Sequence, residues 1–151
     1  MTGGESPGVD RRSQSRERIE HLLEERRQLL SLLLQLSYRK PDPPSLELLD
    51  EFCQLLVDYI AAGHFGLFQR IVERQERRRK VLDLALEVYP RIEESTRVVL
   101  DFNEKYDPEK PRVLDSIYSE LSRLGEALTS RMVFEDQLIS RMLDGRGAAG
   151  S

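Results

Sequence analysis

The chain has 151 residues, a length typical of one domain, and 39% of them are hydrophobic while 33% are charged. This apolar content is too high for a fully disordered chain, and no uncharged apolar run approaches the ~20 residues that a membrane-spanning helix needs. A single cysteine, Cys53, excludes an intrachain disulfide framework, and the net charge of −4 gives no electrostatic reason to expect non-specific DNA binding. The polar first residues show no signal-peptide pattern, so we expect a cytoplasmic protein without a membrane segment.

Helical periodicity dominates the chain, and no strand-like alternation bounded by turn residues occurs. Residues 1–14 and 145–151 are rich in small and polar residues and contain few apolar ones. Such segments cannot bury enough apolar surface to order themselves. We therefore predict a disordered N-terminal tail over 1–14, one helical domain over 15–144, and a disordered C-terminal tail over 145–151.

The first predicted helix spans residues 15 to about 38 and ends before a proline-rich turn. The second begins after Ser45, a suitable N-cap, and closes at Gly63, a suitable helix stop. In each, apolar residues recur at helical spacing and form a stripe that faces a core.

The third predicted helix, from Phe65 to Tyr106, is long and kinked or broken. Residues 73–80 (ERQERRRK) contain no apolar side chain, and Pro90 interrupts the later part. The last helix runs from about Arg112 to residue 144, and Gly125 inside it suggests close approach of a neighbouring helix. Long helices with short connections predict an all-α, antiparallel, up-and-down bundle of four main helices.

Residue patterns typical of catalysis or metal binding are absent from the sequence. Neither His21 nor His64 follows a glutamate by three residues, as a di-iron bundle site requires, and Cys53 has no second cysteine to complete a zinc site. No glycine-rich phosphate loop and no nucleophile elbow occur. We therefore predict a protein that is not an enzyme and holds no cofactor or metal.

The segment from Phe52 to Phe65 combines polar and aromatic residues at the end of the second helix. Asp58 lies at the edge of the apolar face, Tyr59 is beside it, and His64 follows at the helix end. One interpretation is a solvated acid next to a half-buried tyrosine. The other is a carboxylate and an aromatic ring presented together to a basic partner, whose arginine suits both groups.

Charged residues also occupy apolar stripes of the first and last helices. Arg26 and Glu135 take stripe positions, where an unpaired charge is costly, and Asp136 follows Glu135. If these helices pack together, the two charges neutralise each other as an ion pair that fixes their register. The alternative is a polar, water-accessible groove that receives a ligand or partner.

The stretch from Arg70 to Lys80 is basic, and we interpret it as a solvated helix face. A role in nucleic-acid binding calls for aromatic or polar base-reading residues nearby, and none is interleaved with these charges.

Two sequence blocks carry a more specific signal. The first comprises Leu49–Gln54, Leu56–Tyr59 and Ala62–Phe65, and the second comprises Gly125–Leu128, Arg131, Val133, Glu135–Asp136 and Leu138–Ile139. A third segment, Arg26–Leu30, fits more loosely. Together these blocks resemble the Rsd/AlgQ family of bacterial anti-sigma regulators.

This resemblance implies a cytoplasmic helical bundle that binds region 4 of the primary sigma factor, the part that reads the −35 promoter element. Binding keeps sigma from core RNA polymerase and from the promoter, and the protein itself does not contact nucleic acid. The intact Leu-Val-Asp-Tyr motif implies a sigma-binding role for Asp58. We extend that role to Tyr59, His64 and Phe65, because we expect them to share its surface region.

Two other functions remain open from the sequence. One is an interaction module for a phosphotransfer carrier or a stress-signalling enzyme. The other is a helical bundle that binds a small molecule in the groove near Arg26 and Glu135.

Overall fold

The computed structural model describes residues 7–73 and 79–148, and it describes side chains over 15–72 and 79–143. In chain order the elements are α1 (Pro7–Ser37), α2 (Leu46–Gly63), a π-helical turn (His64–Phe68), α3 (Gln69–Glu73), α4 (Arg79–Lys105) and α5 (Ile117–Ala148). These residues contain no β-strand, so the predicted all-helical fold is confirmed. Within the same ranges, no helix is both long enough and apolar enough to cross a membrane.

One continuous apolar core lies between the long helices, because each helix repeats apolar residues three and four positions apart on one face. The largest contribution comes from leucines of α1, α2 and α5 with no exposed surface: Leu22, Leu29, Leu36, Leu49, Leu56, Leu124, Leu128 and Leu138. Each such side chain contributes about 1.5–3 kcal/mol by leaving water. Burial of these faces, more than helix propensity, therefore holds the helices together.

Contacts between neighbouring helices follow one pattern: as the residue number increases along one helix, the number of the residue that it contacts on the other helix decreases. Between α1 and α5 the pairs are Leu33–Gly125 and Arg26–Asp136, and between α1 and α2 with its π-helical turn they are Arg18–Gly66 and Arg26–Tyr59. Ser95 of α4 and Tyr106, which directly follows α4, meet Arg131 and Glu120 of α5.

The start of α2 agrees with the sequence. Ser45 has an extended backbone, with φ −61° and ψ 128°, and its Oγ accepts a hydrogen bond from the amide of Leu48 at 3.3 Å. This contact satisfies one of the amide groups that a helix N-terminus leaves without a partner. The predicted N-cap is confirmed.

Other helix ends differ from the sequence-based boundaries. Helix α1 begins at Pro7, so residues 7–14, predicted as part of a tail, are helical; proline suits a first helical turn, where its missing N–H is not needed. Likewise α5 extends to Ala148, over part of the predicted C-terminal tail. It begins at Ile117 rather than near Arg112, and the Arg112 side chain, outside the helix, donates a hydrogen bond to Asp50 of α2.

The predicted helix stop at Gly63 is wrong in one respect. Helical hydrogen bonding of α2 ends there, but Gly63 keeps right-handed helical angles, φ −67° and ψ −44°, and the chain continues through the π-helical turn into α3. The predicted interruption over 73–80 falls mainly on 74–78, outside the described residues. Helix α4 contains Pro90 and does not restart there, so a kinked third helix stays a prediction.

Candidate functional site

An exposed area at the C-terminal end of α2 contains three of the four residues assigned to partner binding. We define Val57, Asp58, His64 and Phe65 as the outer patch. Val57 and Phe65 are 44% and 55% exposed. Asp58 is half-buried and accepts a hydrogen bond from Gln54 Nε2 at 3.2 Å. The outer patch thus offers a carboxylate together with two exposed apolar side chains, a combination that suits a protein partner.

The π-helical turn decides which of its residues reach the surface. In this wider turn the amide of Gln69 donates to the carbonyl of His64, five residues earlier. Leu67 and Phe68 turn into the core, while His64 and Phe65 stay exposed and pack edge to face with ring centroids 4.8 Å apart. Single π-helical turns are rare and frequently occur at functional sites.

Tyr59, the fourth residue assigned to partner binding, does not lie on this surface. Its side chain is completely buried, and its hydroxyl donates a hydrogen bond to Glu135 Oε1. Burial raises the pKa of Tyr59 above its usual value, and the Glu135 carboxylate raises it further, so the phenol keeps its proton. The structure therefore separates Tyr59 from Asp58, because adjacent helical residues point about 100° apart.

Arg26, Glu135 and Asp136 are brought together, as the sequence indicated. Arg26 donates to Asp136 Oδ1 at 2.7 Å, to Glu135 Oε1 at 3.2 Å, and to the Tyr59 hydroxyl at 3.1 Å. Burial alone would lower the pKa of Arg26, but the hydrogen bonds to Asp136 and Tyr59 raise it, so the guanidinium stays charged. These contacts join α1, α2 and α5, and they include the predicted ion pair between Arg26 and Glu135.

Arg131 is the residue of this cluster that the sequence analysis did not assign to a site. It is 2% exposed, and its Nε donates to Glu135 Oε2 at 2.9 Å. Its Nη1 donates to the carbonyl of Ile92 and to the hydroxyls of Ser95 and Thr96, at 3.2, 3.0 and 2.7 Å. The sequence signal was present, because Arg131 lies four residues before Glu135 on the same helix face.

A glycine makes room for these charges. A Cβ atom added at Gly63 would lie 2.7 Å from Glu135 Oε2 and 3.4 Å from Arg131 Nη2. Because Gly63 has ordinary helical angles, its role is close approach of α2 to the buried carboxylate and not an unusual backbone conformation.

The four charged side chains form a balanced group, which we call the buried network: Arg26, Arg131, Glu135 and Asp136. Two positive and two negative groups share hydrogen bonds, so the free-energy cost of removing each charge from water is offset by its contact with a group of opposite charge. Only Asp136, with its side chain 58% exposed, reaches far into solvent. The geometry favours a structural role for the Arg26–Glu135 pair over an open groove at that point.

Other reactive side chains are dispersed. In the described ranges, no group of three His, Cys, Asp or Glu residues is placed to hold a metal ion. His21 lies 3.4 Å from Glu25 on α1, and His64 belongs to the outer patch. Burial raises the pKa of Cys53 to about 12, with Asp50 adding to the effect, so this thiol is a poor nucleophile.

Comparison with known proteins places this helical chain among regulators of bacterial transcription. The family model described as "Regulator of RNA polymerase sigma(70) subunit, Rsd/AlgQ" matches residues 8–143. The chain belongs to the Rsd/AlgQ family, and the resemblance drawn from its sequence blocks is confirmed.

Curated relatives agree with this membership. The protein named "Regulator of sigma D" from Salmonella typhi is 33% identical over 146 residues, covering 90% of this chain and 88% of the relative. Its namesake from Shigella dysenteriae serotype 1 (strain Sd197) is 35% identical over 136 residues, covering 83% and 84%. No solved structure matches the chain. These names describe a regulatory family.

Proposed function

We propose that this protein regulates transcription by binding the primary sigma factor through the outer patch, with Asp58 as the central contact. The observation that carries the proposal is the position of Asp58. The motif residue that the family resemblance singled out lies on the outer side of α2, beside exposed Val57 and about two helical turns from exposed Phe65. A buried Asp58 would have argued against this role.

The proposed target is region 4 of sigma, a basic helix-turn-helix domain that reads the −35 element. A carboxylate on an acidic protein competes with promoter phosphates for the same arginine side chains. Opposite charges speed the encounter and orient the partners, while apolar anchors such as Val57 and Phe65 supply most of the affinity. Sigma held in this way is kept from core RNA polymerase and from the promoter.

Tyr59 takes a different role in this proposal from the one inferred from sequence. It is adjacent to Asp58, and its hydroxyl is tied to Glu135 and Arg26 across the core. We infer that Tyr59 positions the outer patch by anchoring α2 and that it does not itself contact sigma.

The remaining parts of the proposal concern the molecule as a whole. We infer a cytoplasmic, antiparallel up-and-down bundle of four helices that makes no direct contact with nucleic acid. Arg79 and Lys80, at the end of the basic stretch, are exposed, and residues 74–78 lie outside the described ranges. We predict that this stretch points away from Asp58, because it would repel a basic partner.

Calorimetric titration with purified sigma region 4 tests the proposal. We expect one-to-one binding that weakens as salt is raised, and an Asp58→Asn variant that binds more weakly by about 1–3 kcal/mol, or roughly 5- to 150-fold. Asparagine keeps the size and shape of the side chain and can still accept from Gln54, so the change isolates the charge.

The matched control is Asp101→Asn, which removes the same charge from an exposed site on α4. We expect sigma affinity within twofold of the parent protein. No binding of region 4 to the folded parent protein at about 100 μM, two orders of magnitude above a micromolar Kd, would refute the sigma proposal. Equal losses in both aspartate variants would show that only net charge matters and that Asp58 is not a specific contact.

A further inference from the structure

A cleft lies on the inner side of the π-helical turn, between that turn, α4 and α5. Its volume is about 180 Å³. Apolar walls come from Leu67, Leu138 and Ile92, and from the rings of Phe68 and Tyr89, whose centroids are 5.0 Å apart. The cleft is distinct from the proposed sigma contact, because His64 is the one outer-patch residue that lines it, whereas Val57, Asp58 and Phe65 do not.

A buried cation lies among the residues that line this cleft. Three hydrogen bonds from Nη1 and one from Nε hold the guanidinium of Arg131. Among the described residues, none accepts a hydrogen bond from its remaining nitrogen, Nη2, which lies close to Gly63 at the cleft wall. This nitrogen is not fully enclosed by the protein, so a water molecule or a ligand in the cleft can supply the oxygen that accepts its hydrogen bond.

The size and walls of the cleft limit what can supply that oxygen. A cavity of about 150 Å³ lined by apolar side chains accommodates benzene, and a water molecule takes about 30 Å³ of liquid volume. The cleft therefore has room for one ring and a small polar substituent. Its aromatic wall of Phe68 and Tyr89 suits a flat partner, since such pairs add to the energy of area burial.

The charges around the cleft decide between a neutral and an anionic oxygen. Arg131 is already neutralised by Glu135, and Glu93 is a second carboxylate among the lining residues. An anionic ligand would place a third negative group around one guanidinium. A carbonyl oxygen accepts the same hydrogen bond without that repulsion.

We propose that this cleft binds a small planar ligand with a neutral carbonyl oxygen, as in an aromatic amide or a lactam. The carbonyl accepts from Arg131 Nη2, and the ring packs on the wall formed by Phe68 and Tyr89. The proposal does not depend on sigma binding, because the cleft and the outer patch use different side chains apart from His64, which belongs to both.

NMR titration of the ¹⁵N-labelled full-length protein with benzamide tests this assignment. We expect saturable shifts of the Arg131 side-chain Nε–H signal and of backbone signals around the cleft. For a ligand of nine non-hydrogen atoms we expect a Kd of about 10 mM or tighter. Benzoate, which has the same ring and an anionic group, should bind at least about twofold more weakly because of Glu93 and Glu135.

Two variants of exposed side chains on α4 provide the comparison. Tyr89→Ala removes part of the aromatic wall and should weaken benzamide binding by about two- to tenfold. Leu100→Ala removes a similarly exposed apolar side chain away from the cleft and should leave binding unchanged. Absence of saturable shifts with benzamide at about 50 mM would overturn the proposal. Tighter binding of benzoate than of benzamide would overturn the neutral carbonyl.

Discussion

Glu135 is the residue on which the buried polar contacts converge. One oxygen of its carboxylate accepts from Tyr59 and Arg26, and the other accepts from Arg131. Two of these partners, Tyr59 and Arg131, have almost no exposed surface. A single acidic side chain on α5 thus satisfies donors from α1, α2 and its own helix.

Loss of this carboxylate should be severe. We expect Glu135→Leu to lower the free energy of unfolding by about 3–5 kcal/mol, because Arg131 and Arg26 are left without their shared acceptor in a poorly solvated site. Urea unfolding followed by circular dichroism measures the change. Asp136→Ala is the control: its side chain is 58% exposed, so we expect a loss of about 1 kcal/mol or less. Unchanged stability of Glu135→Leu would show that the buried network contributes nothing to the fold.

At the scale of elements, two glycines show how differently helices approach one another. Gly63 brings α2 against the buried network, and a Cβ there meets Glu135 Oε2 at 2.7 Å. Gly125 lies in α5, where the sequence suggested close approach of a neighbour. A Cβ at that position lies 3.7 Å from Leu33 Cδ2, an ordinary contact, so packing does not require this glycine.

Alanine substitution should therefore have opposite effects at the two positions. Gly63→Ala should destabilise the protein by about 1–3 kcal/mol through overpacking, since Glu135 is held by three neighbours and cannot easily move. Gly125→Ala should stabilise it by up to about 1 kcal/mol, the difference in helix propensity between the two residues. Thermal melts of the two variants beside the parent protein measure both effects. A stabilised Gly63→Ala variant would contradict the close approach inferred for α2.

At the scale of the whole molecule, two buried phenols and a buried thiol make the stability of the fold depend on pH in the alkaline range. Burial raises the pKa of both Tyr59 and Tyr106. For Tyr106 the hydrogen bond to Glu120 raises the pKa further, by less than burial does. The pKa of the Cys53 thiol is raised to about 12 by burial. In each case the folded state holds a proton that the unfolded chain releases at lower pH.

We therefore expect these groups to leave stability unchanged below pH ~8 and to lower it as pH rises further, first through Cys53 and then through the tyrosines. The unfolded chain releases its thiol proton near pH ~8.5 and its tyrosine protons near pH ~10, whereas the folded protein retains them. Urea unfolding at about pH 8 and about pH 11 measures the loss. Tyr59→Phe should make that loss smaller, whereas Tyr38→Phe, at a side chain 84% exposed, should not. An equal loss in both variants would show that Tyr59 is not responsible.

Features within a single helix were accessible from the sequence. Apolar spacing predicted the helices, Ser45 was correctly placed as an N-cap, and the motif containing Asp58 indicated the family. The Arg26–Glu135 contact could also be anticipated, because both charges interrupt apolar stripes and each requires a partner. These inferences succeed because helical periodicity specifies which face of its own helix a residue occupies.

The other contacts between helices were decided only by the tertiary structure. Which way Tyr59 points, why Gly63 is a glycine, and how Arg131 completes the buried network all depend on the rotation and separation of packed helices. Residue spacing along one helix contains no information about those two quantities, which the combined packing of all side chains determines. The same reason explains the cleft: its walls come from the end of α2, the π-helical turn, α4 and α5, which meet only when the chain has folded.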